Sequence, residues 1–257
     1  MLKASVIALL SLTFAVSCAA QAQEKLFGFT AASFKDSSGH VLPYRLFIPP
    51  AYDAQTKYPL ILWLHGGAGR GNDNQRQISE NNRFGSQLWT SDDLQAQRPS
   101  FVLAPQCPEN YLWTSGRSGE PGRYLEAAMD LLNQIVKQYA IDRDRIYVAG
   151  QSMGGMGALA LVAAHPHTFA AAVTVSADIP AAKAAWLAPT ALWVFVGEKD
   201  ELISIANIRE LAHAVHLAGG NIRLTQYPGA GHDIWERAFA EPQLPAWLLA
   251  RKRDASR

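Results

Sequence analysis

One segment indicates the fold of this chain: Arg145-Ile146-Tyr147-Val148-Ala149-Gly150-Gln151-Ser152-Met153-Gly154-Gly155. Residues 145–149 are typical of a short strand, and the alanine- and glycine-rich run Met153–Ala164 is typical of a helix. Glycines flank Ser152 at G-x-S-x-G spacing, and they allow a tight reversal because they lack a Cβ. This strand–turn–helix context indicates that Ser152 projects its hydroxyl from the turn as a nucleophile. A glycine-rich turn that serves only helix packing is the alternative interpretation.

Strands and helices alternate along the chain around this segment. Further strands are expected at residues 58–64, 101–104, 171–175, 191–196 and 222–227, and further helices at residues 124–139, 204–218 and 244–251. Residues 75–100 are polar and read as irregular. The alternation predicts an α/β fold with right-handed crossovers, a mostly parallel twisted sheet and helices on both faces. Residues 26–34 and 41–48, separated by a turn cluster, predict an N-terminal antiparallel hairpin.

The composition is that of a globular protein with almost no net charge. The 257 residues are 49% hydrophobic and carry 23 Lys and Arg against 22 Asp and Glu. A disordered chain would be more charged and less apolar. A formal charge of +1 supplies no field that would attract phosphates, so a nucleic-acid partner is not expected. No linker or internal repeat is evident, and residues 23–257 are expected to form a single domain.

The N-terminus has the pattern of a signal peptide. A basic Lys3 precedes an apolar stretch at residues 4–16 that is too short to span a bilayer, and Ala20-Gln21-Ala22 fits an A-x-A cleavage site. Residues 1–22 are therefore expected to direct export to the periplasm or the medium, with no stable membrane span in the mature protein. A membrane anchor is one alternative, and lipidation of Cys18 as in bacterial lipoproteins is another. After cleavage Cys107 is the only cysteine, and a buried apolar thiol is favoured over a nucleophile.

A serine nucleophile needs a base and an acid that orients the base. His232 lies in a glycine-containing loop after the last expected strand and is the expected base, whereas His65 is expected to organise the loop around it. Asp200 follows the penultimate expected strand, which gives the chain order Ser152, Asp200, His232. Asp178 is the competing acid and is alternatively a residue of the substrate pocket.

A tetrahedral intermediate also requires backbone N–H groups that stabilise its oxyanion. Met153 N–H, directly after the nucleophile, is the first expected donor. Gly67, in the loop after the strand Tyr58–Leu64, is the second, because glycine permits close backbone approach. Trp113 and Trp235 are expected to form walls of the acyl pocket, with core packing as the alternative for each.

Four stretches together resemble a known family: Leu64-His65-Gly66-Gly67-Ala68-Gly69-Arg70-Gly71-Asn72-Asp73-Asn74, Ala104-Pro105-Gln106-Cys107-Pro108, Gly150-Gln151-Ser152-Met153-Gly154-Gly155 and Gly231-His232-Asp233-Ile234-Trp235. This set, which covers about residues 40–252, resembles the bacterial exported "predicted peptidase" esterases of the α/β-hydrolase superfamily. These are related to dienelactone hydrolases, prolyl-oligopeptidase catalytic domains and the polyhydroxybutyrate-depolymerase and feruloyl-esterase group.

The resemblance implies an α/β-hydrolase fold, a triad of Ser152, Asp200 and His232, and an oxyanion loop at residues 65–69. Two stretches depart from the family pattern. Gly67-Ala68-Gly69-Arg70 stands where members often carry Ala-Gly-Glu-Arg, and Ser176-Ala177-Asp178-Ile179 is poorer in glycine than is usual. Both departures border the expected acyl pocket.

These observations predict an exported serine hydrolase that cleaves carboxylic esters, either of small molecules or of groups attached to polysaccharides. No cofactor is expected, and no metal site, because no histidine pair has a supporting acid or cysteine at ligand spacing. The alternatives are a serine peptidase of the prolyl-oligopeptidase type and a non-catalytic binding protein on the same fold. The oligomeric state has no signature in the sequence.

Overall fold

The computed structural model describes residues 25–116 and 118–253, and its framework is a nine-stranded sheet. The strands are β1 (Lys25–Leu26), β2 (Phe29–Lys35), β3 (Val41–Phe47), β4 (Tyr58–Leu64), β5 (Phe101–Pro105), β6 (Ile141–Gln151), β7 (Ala171–Val175), β8 (Ala191–Gly197) and β9 (Ile222–Tyr227). The α-helices are α1 (Arg83–Leu88), α2 (Asp92–Gln97), α3 (Arg123–Gln138), α4 (Met153–Ala164), α5 (Ala184–Leu187), α6 (Ile205–Leu217), α7 (Trp235–Phe239) and α8 (Leu244–Leu249). The expected signal peptide and Cys18 lie outside the described residues.

The sheet combines an antiparallel edge with a parallel body. Its strand order is β1-β2-β3-β5-β4-β6-β7-β8-β9. The neighbours from β1 to β5 pair antiparallel, and those from β5 to β9 pair parallel. The predicted N-terminal hairpin and mostly parallel sheet are therefore confirmed. The chain passes from β4 to β5 on one side and then from β5 to β6 on the other side of β4. Such a reversal opens a crevice at the carboxyl ends of the strands.

Helices cover both faces of the parallel body, which explains the continuous apolar runs in the sequence. Every residue of β4, β5 and β7 is buried, as expected for strands with no solvated face. Alternate side chains enter two separate cores. Leu62 and Val148 pack with residues of α3, α4 and α6, whereas Trp63 and Ala149 pack with residues of α7 and α8.

The region expected to be irregular contains two short helices, α1 and α2. Each has six residues, which is too short to be stable through local propensity alone. Packing holds α1 in place: a Cβ on its Gly85 would lie 2.0 Å from the ring of Trp63, so only glycine permits this approach. Tertiary contact, which leaves no periodic signal in so short a segment, therefore produces these helices.

Candidate active site

Ser152 occupies a strained turn between β6 and α4. Its backbone has φ 50° and ψ −121°, a conformation that residues with a side chain rarely adopt. The turn depends on its glycines, because a Cβ on Gly150 would lie 2.3 Å from the carbonyl oxygen of Gly154. The Ser152 N–H donates to the Val175 carbonyl of the adjacent strand at 2.8 Å. The turn thus presents the hydroxyl at the carboxyl end of the sheet, beside the crevice.

A continuous hydrogen-bonded chain connects Ser152 to two residues distant in sequence. Ser152 Oγ lies 2.9 Å from His232 Nε2, and His232 Nδ1 lies 2.8 Å from Asp200 Oδ2. An ionised carboxylate can only accept a hydrogen bond, so the hydrogen of a neutral His232 ring resides on Nδ1. Nε2 then has a free lone pair that faces the Ser152 hydroxyl.

The Asp200 carboxylate is held on its other side as well. Its side chain is completely buried, and Oδ1 accepts the backbone N–H groups of Leu202 and Ile203, both at 2.9 Å.

The two nearby acids, Asp178 and Glu198, have other partners. Asp178 Oδ2 accepts from the Asn207 side chain at 3.2 Å, and Glu198 Oε2 accepts the Gly229 N–H at 3.0 Å. The structure therefore brings Asp200, and not Asp178, to the imidazole.

The loop after β4 is organised by a buried, neutral histidine. His65 Nε2 accepts the Cys107 N–H at 3.0 Å, which leaves Nδ1 to donate to the Gly66 carbonyl at 2.7 Å. Burial lowers the pKa of His65 to about 4, so the ring stays neutral near pH 7. The Gly66 N–H donates to the Asn82 side chain at 2.8 Å. These contacts agree with the organising role expected of His65.

Gly67 begins a short 3-10 turn, Gly67–Gly69, that follows this anchor. Gly67 and Met153 are each the first residue of a helical segment, where backbone N–H groups have no partner within the helix. In residues 25–116 and 118–253, neither N–H donates to a protein acceptor. Both groups are available to a ligand oxygen.

A cavity of about 670 Å³ adjoins Ser152 and His232. Its apolar lining consists of Leu112, Met153, Met156, Ile179, Pro180, Ala181, Leu202 and Ile203. Asp178, Ser204, Asn207 and Glu210 contribute polar groups. Asp178 is thus one of the residues that line the cavity.

The two tryptophans expected in the pocket do not line this cavity. Trp113 is fully buried, and its indole N–H donates to the His65 carbonyl at 3.1 Å. Trp235 packs edge-on against the His232 ring, with 5.1 Å between the ring centroids, and is almost fully buried. Trp113 therefore packs against His65 and Trp235 against His232, outside the cavity. Aliphatic and thioether side chains form the cavity walls in their place.

Cys107 is a buried free thiol whose pKa is raised by burial to about 12. Its backbone N–H donates to His65, and its thiol is not expected to ionise to a nucleophilic thiolate.

Among the described residues, no group of three or more histidine, cysteine, aspartate or glutamate side chains could hold a metal ion. None of the helices in that part of the chain has the length and apolar character needed to cross a membrane.

Two contacts within the site were not predicted from the sequence. Asn82, in the region read as irregular, holds the Gly66 N–H, and Ser176 Oγ donates to the His232 carbonyl at 2.8 Å. Each joins segments that approach only in the folded chain. Asn82 belongs to no motif of the sequence, and Ser176 belongs only to the stretch that departs from the family pattern, which does not indicate this contact.

Comparisons with known proteins agree with this architecture. The thermostable esterase of one crystal structure superposes with a TM-score of 0.84 at 32% identity, over 88% of this chain and 64% of that one. The "Probable carboxylesterase SOBER1-like" of Arabidopsis thaliana is 26% identical over 217 residues, 76% of this chain and 80% of that protein. The "Dipeptidyl-peptidase 5" of Porphyromonas gingivalis is 30% identical over 138 residues, and the matched part is 19% of its length.

A protein-family model described as "Esterase: Putative esterase" matches residues 37–247, which include the whole parallel body of the sheet and all the residues of the site. With the strand order above, this match shows that the chain belongs to this esterase family and has the α/β-hydrolase fold.

Proposed function

We propose that this protein is an exported serine hydrolase that cleaves carboxylic esters with Ser152, His232 and Asp200 as its triad. The observation that carries the proposal is the unbroken hydrogen-bonded chain from Asp200 through His232 to Ser152 beside a cavity. Membership of the esterase family supports the ester bond as the target. The signal-peptide pattern of residues 1–22 supports export.

The reaction follows from the positions of these groups. His232 Nε2 takes the Ser152 hydroxyl proton as Oγ attacks the ester carbonyl, and Asp200 stabilises the imidazolium that forms. The carbonyl oxygen becomes an oxyanion, which the N–H groups of Gly67 and Met153 stabilise. His232 then protonates the leaving alcohol, and the acyl group remains on Ser152. Water, activated by the same imidazole, releases the acid.

The cavity favours an uncharged acyl or alcohol group of small to medium size. Its walls are mainly apolar, and two flexible methionines, Met153 and Met156, allow adjustment to different shapes. Asp178 lies at the polar side, where its carboxylate is a hydrogen-bond acceptor for substrate hydroxyl groups. An apolar cavity with a carboxylate acceptor at one side suits esters whose alcohol part carries several hydroxyl groups, including acyl groups esterified to polysaccharides.

A serine peptidase is the second candidate, favoured by the similarity to the "Dipeptidyl-peptidase 5". The two functions share the nucleophile, the base and the oxyanion donors. They differ in whether the leaving group is an alcohol or an amine. Relative rates on matched ester and anilide substrates therefore separate them.

The test combines turnover with active-site labelling. The purified protein should hydrolyse p-nitrophenyl butyrate faster than a peptide p-nitroanilide, and a fluorophosphonate probe should label Ser152, as mapped by mass spectrometry. Ser152→Ala should not be labelled, and its kcat should be lower by about 10⁴-fold or more. Ser33→Ala, which removes an exposed hydroxyl on β2, should retain both. Faster turnover of the anilide would favour the peptidase, and absence of labelling with no turnover would favour the non-catalytic binding protein.

A further inference from the structure

Ser176 lies between the strand that leads to Ser152 and the strand that precedes Asp200. It directly follows β7, which is hydrogen-bonded to β6 on one side and β8 on the other. β6 leads to Ser152, and Asp200 follows β8. Ser176 is fully buried, and its N–H donates to the Phe195 carbonyl of β8 at 2.8 Å. Its backbone is thus fixed to the framework of the sheet.

The backbone of Ser176 is in the left-handed region, with φ 50°. A residue with a Cβ is disfavoured there, and glycine adopts this conformation with little strain. Strained non-glycine residues are concentrated at functional sites. The only polar group in the Ser176 side chain is its hydroxyl.

That hydroxyl binds the backbone of the base. Ser176 Oγ donates to the His232 carbonyl at 2.8 Å, and the same carbonyl accepts the Ile234 N–H at 3.0 Å. The residue before Ser176 holds the nucleophile, because the Val175 carbonyl accepts the Ser152 N–H at 2.8 Å. Two consecutive residues therefore anchor the backbones of Ser152 and His232, each through one hydrogen bond.

We propose that Ser176 is a positioning residue, whose hydroxyl sets the distance between His232 Nε2 and Ser152 Oγ and thereby the rate of proton transfer. The inference rests on the proposed triad function. Ser176 touches neither substrate nor reacting atoms in this role and acts through the backbone of His232. Its loss should therefore lower kcat and leave substrate binding largely intact.

Two substitutions separate the hydroxyl from the backbone strain. Ser176→Ala removes the hydrogen bond and keeps the Cβ, and Ser176→Gly removes both. We expect kcat to fall about 10- to 100-fold in both variants, since misplacement by about 1 Å can cost 10²-fold, with KM within about threefold of the wild type. The rate of fluorophosphonate labelling should fall in parallel, because it also requires the base. Ser176→Gly should unfold at the same temperature as Ser176→Ala or higher, because glycine relieves the strain.

Thr190→Val is the matched control. Thr190 is almost fully buried, and its hydroxyl donates to the Phe169 carbonyl at 3.5 Å, at the end of β8 opposite the site. This variant should lower the melting temperature without lowering kcat or the labelling rate. It shows what the loss of a buried hydroxyl does when His232 is not its partner.

The outcomes distinguish this inference from the proposed function. Turnover within twofold of the wild type in Ser176→Ala and Ser176→Gly, or recovery of activity in step with stability from alanine to glycine, overturns the positioning role. Should Ser176→Ala fail to fold, the kcat and KM of Ser176→Gly decide alone. If Ser152→Ala is inactive and the Ser176 variants are fully active, only the inference fails. Full activity of Ser152→Ala would refute the proposed triad itself.

Discussion

Asp200 illustrates how one side chain is fixed by its surroundings at the scale of a residue. Its two carboxylate oxygens have different partners: Oδ2 faces His232 Nδ1, and Oδ1 accepts the N–H groups of Leu202 and Ile203. A rotation about its side chain would break all three contacts. The imidazole therefore has a rigid acceptor that holds both its orientation and its tautomer.

The tautomer of His232 depends on the residue at position 200. Asn in place of Asp200 can present an N–H to Nδ1, which favours a hydrogen on Nε2. The lone pair that accepts the Ser152 proton in the proposed reaction is then lost. We expect Asp200→Asn to lower kcat for p-nitrophenyl butyrate by about 10²- to 10⁴-fold, with little change in melting temperature.

Glu198→Gln is the matched control for this prediction. Glu198 is an exposed acid two residues earlier that accepts the Gly229 N–H, and its loss should change kcat by less than about threefold. Retention of more than a tenth of the activity by Asp200→Asn would contradict the orienting role.

At the scale of elements, helix α4 meets strand β4 where the site is built. A Cβ on Gly154 would lie 1.9 Å from the backbone carbonyl oxygen of Leu64, and neither backbone can move without displacing the turn at Ser152. Gly157, one turn further along the helix, is less constrained, because its Cβ would lie 2.9 Å from the Trp113 Cβ. The start of α4 therefore approaches the end of β4 more closely than any side chain permits.

This geometry predicts unequal effects of two chemically identical substitutions. Gly154→Ala should destabilise the protein by about 3 kcal/mol or more and reduce activity, because overpacking is costly and the turn must shift. Gly157→Ala should destabilise by less, because a gain in helix propensity of about 1 kcal/mol offsets part of the strain. Urea unfolding monitored by tryptophan fluorescence measures both. Equal midpoints for the two variants would show that α4 can retreat from β4.

The elements also show what local pattern can and cannot predict. β4, α4, β7 and β9 have the bounds expected from the sequence, because each is a distinct periodic or apolar run. Helix α7 was not predicted. It has five residues, and its Phe239 packs on Trp63 with 5.5 Å between ring centroids. Packing of this kind, between residues far apart in sequence, stabilises helices that have no signal of their own.

At the scale of the whole molecule, His65 couples stability to pH. It is fully buried and neutral, and its Nε2 must stay unprotonated to accept the Cys107 N–H. Burial lowers its pKa from 6.5 to about 4. Between these values the unfolded chain binds the proton and the folded chain does not. The contribution is therefore fully present above about pH 6.5 and is lost as the pH falls towards 4.

The expected loss through this one group is at most about 3 kcal/mol. His65→Gln retains an acceptor for the Cys107 N–H and has no proton to gain. We expect the free energy of unfolding of this variant to fall less steeply than that of the wild type between pH 6.5 and 4.5. Urea titrations at several pH values measure the slope. His213→Gln, an exposed histidine of α6, should keep the wild-type slope, and equal slopes for wild type and His65→Gln would contradict the linkage.

Local sequence patterns were sufficient to predict the strand–turn–helix around Ser152, the parallel sheet and the order of Ser152, Asp200 and His232 along the chain. These features follow from short-range causes: glycines where a Cβ cannot fit, and apolar runs that must be covered on both faces. The sequence also indicated that His65 organises its loop, because this histidine ends an apolar strand and directly precedes the loop.

Long-range contacts in the folded chain establish which acid contacts His232, which side chains line the cavity and which hydroxyl binds the His232 carbonyl. Asp178 and Asp200 each follow a parallel strand, so the sequence, which favours Asp200, leaves Asp178 as the alternative. Trp113 and Trp235 are equally plausible as walls or core. The acid is identified by the contact between Asp200 and His232, which are 32 positions apart, and the hydroxyl by the contact between Ser176 and His232, which are 56 positions apart. A hydrogen bond requires its two atoms within about 3 Å of each other, so these contacts depend on strand register and on the paths of the loops. Local sequence patterns do not encode either of these.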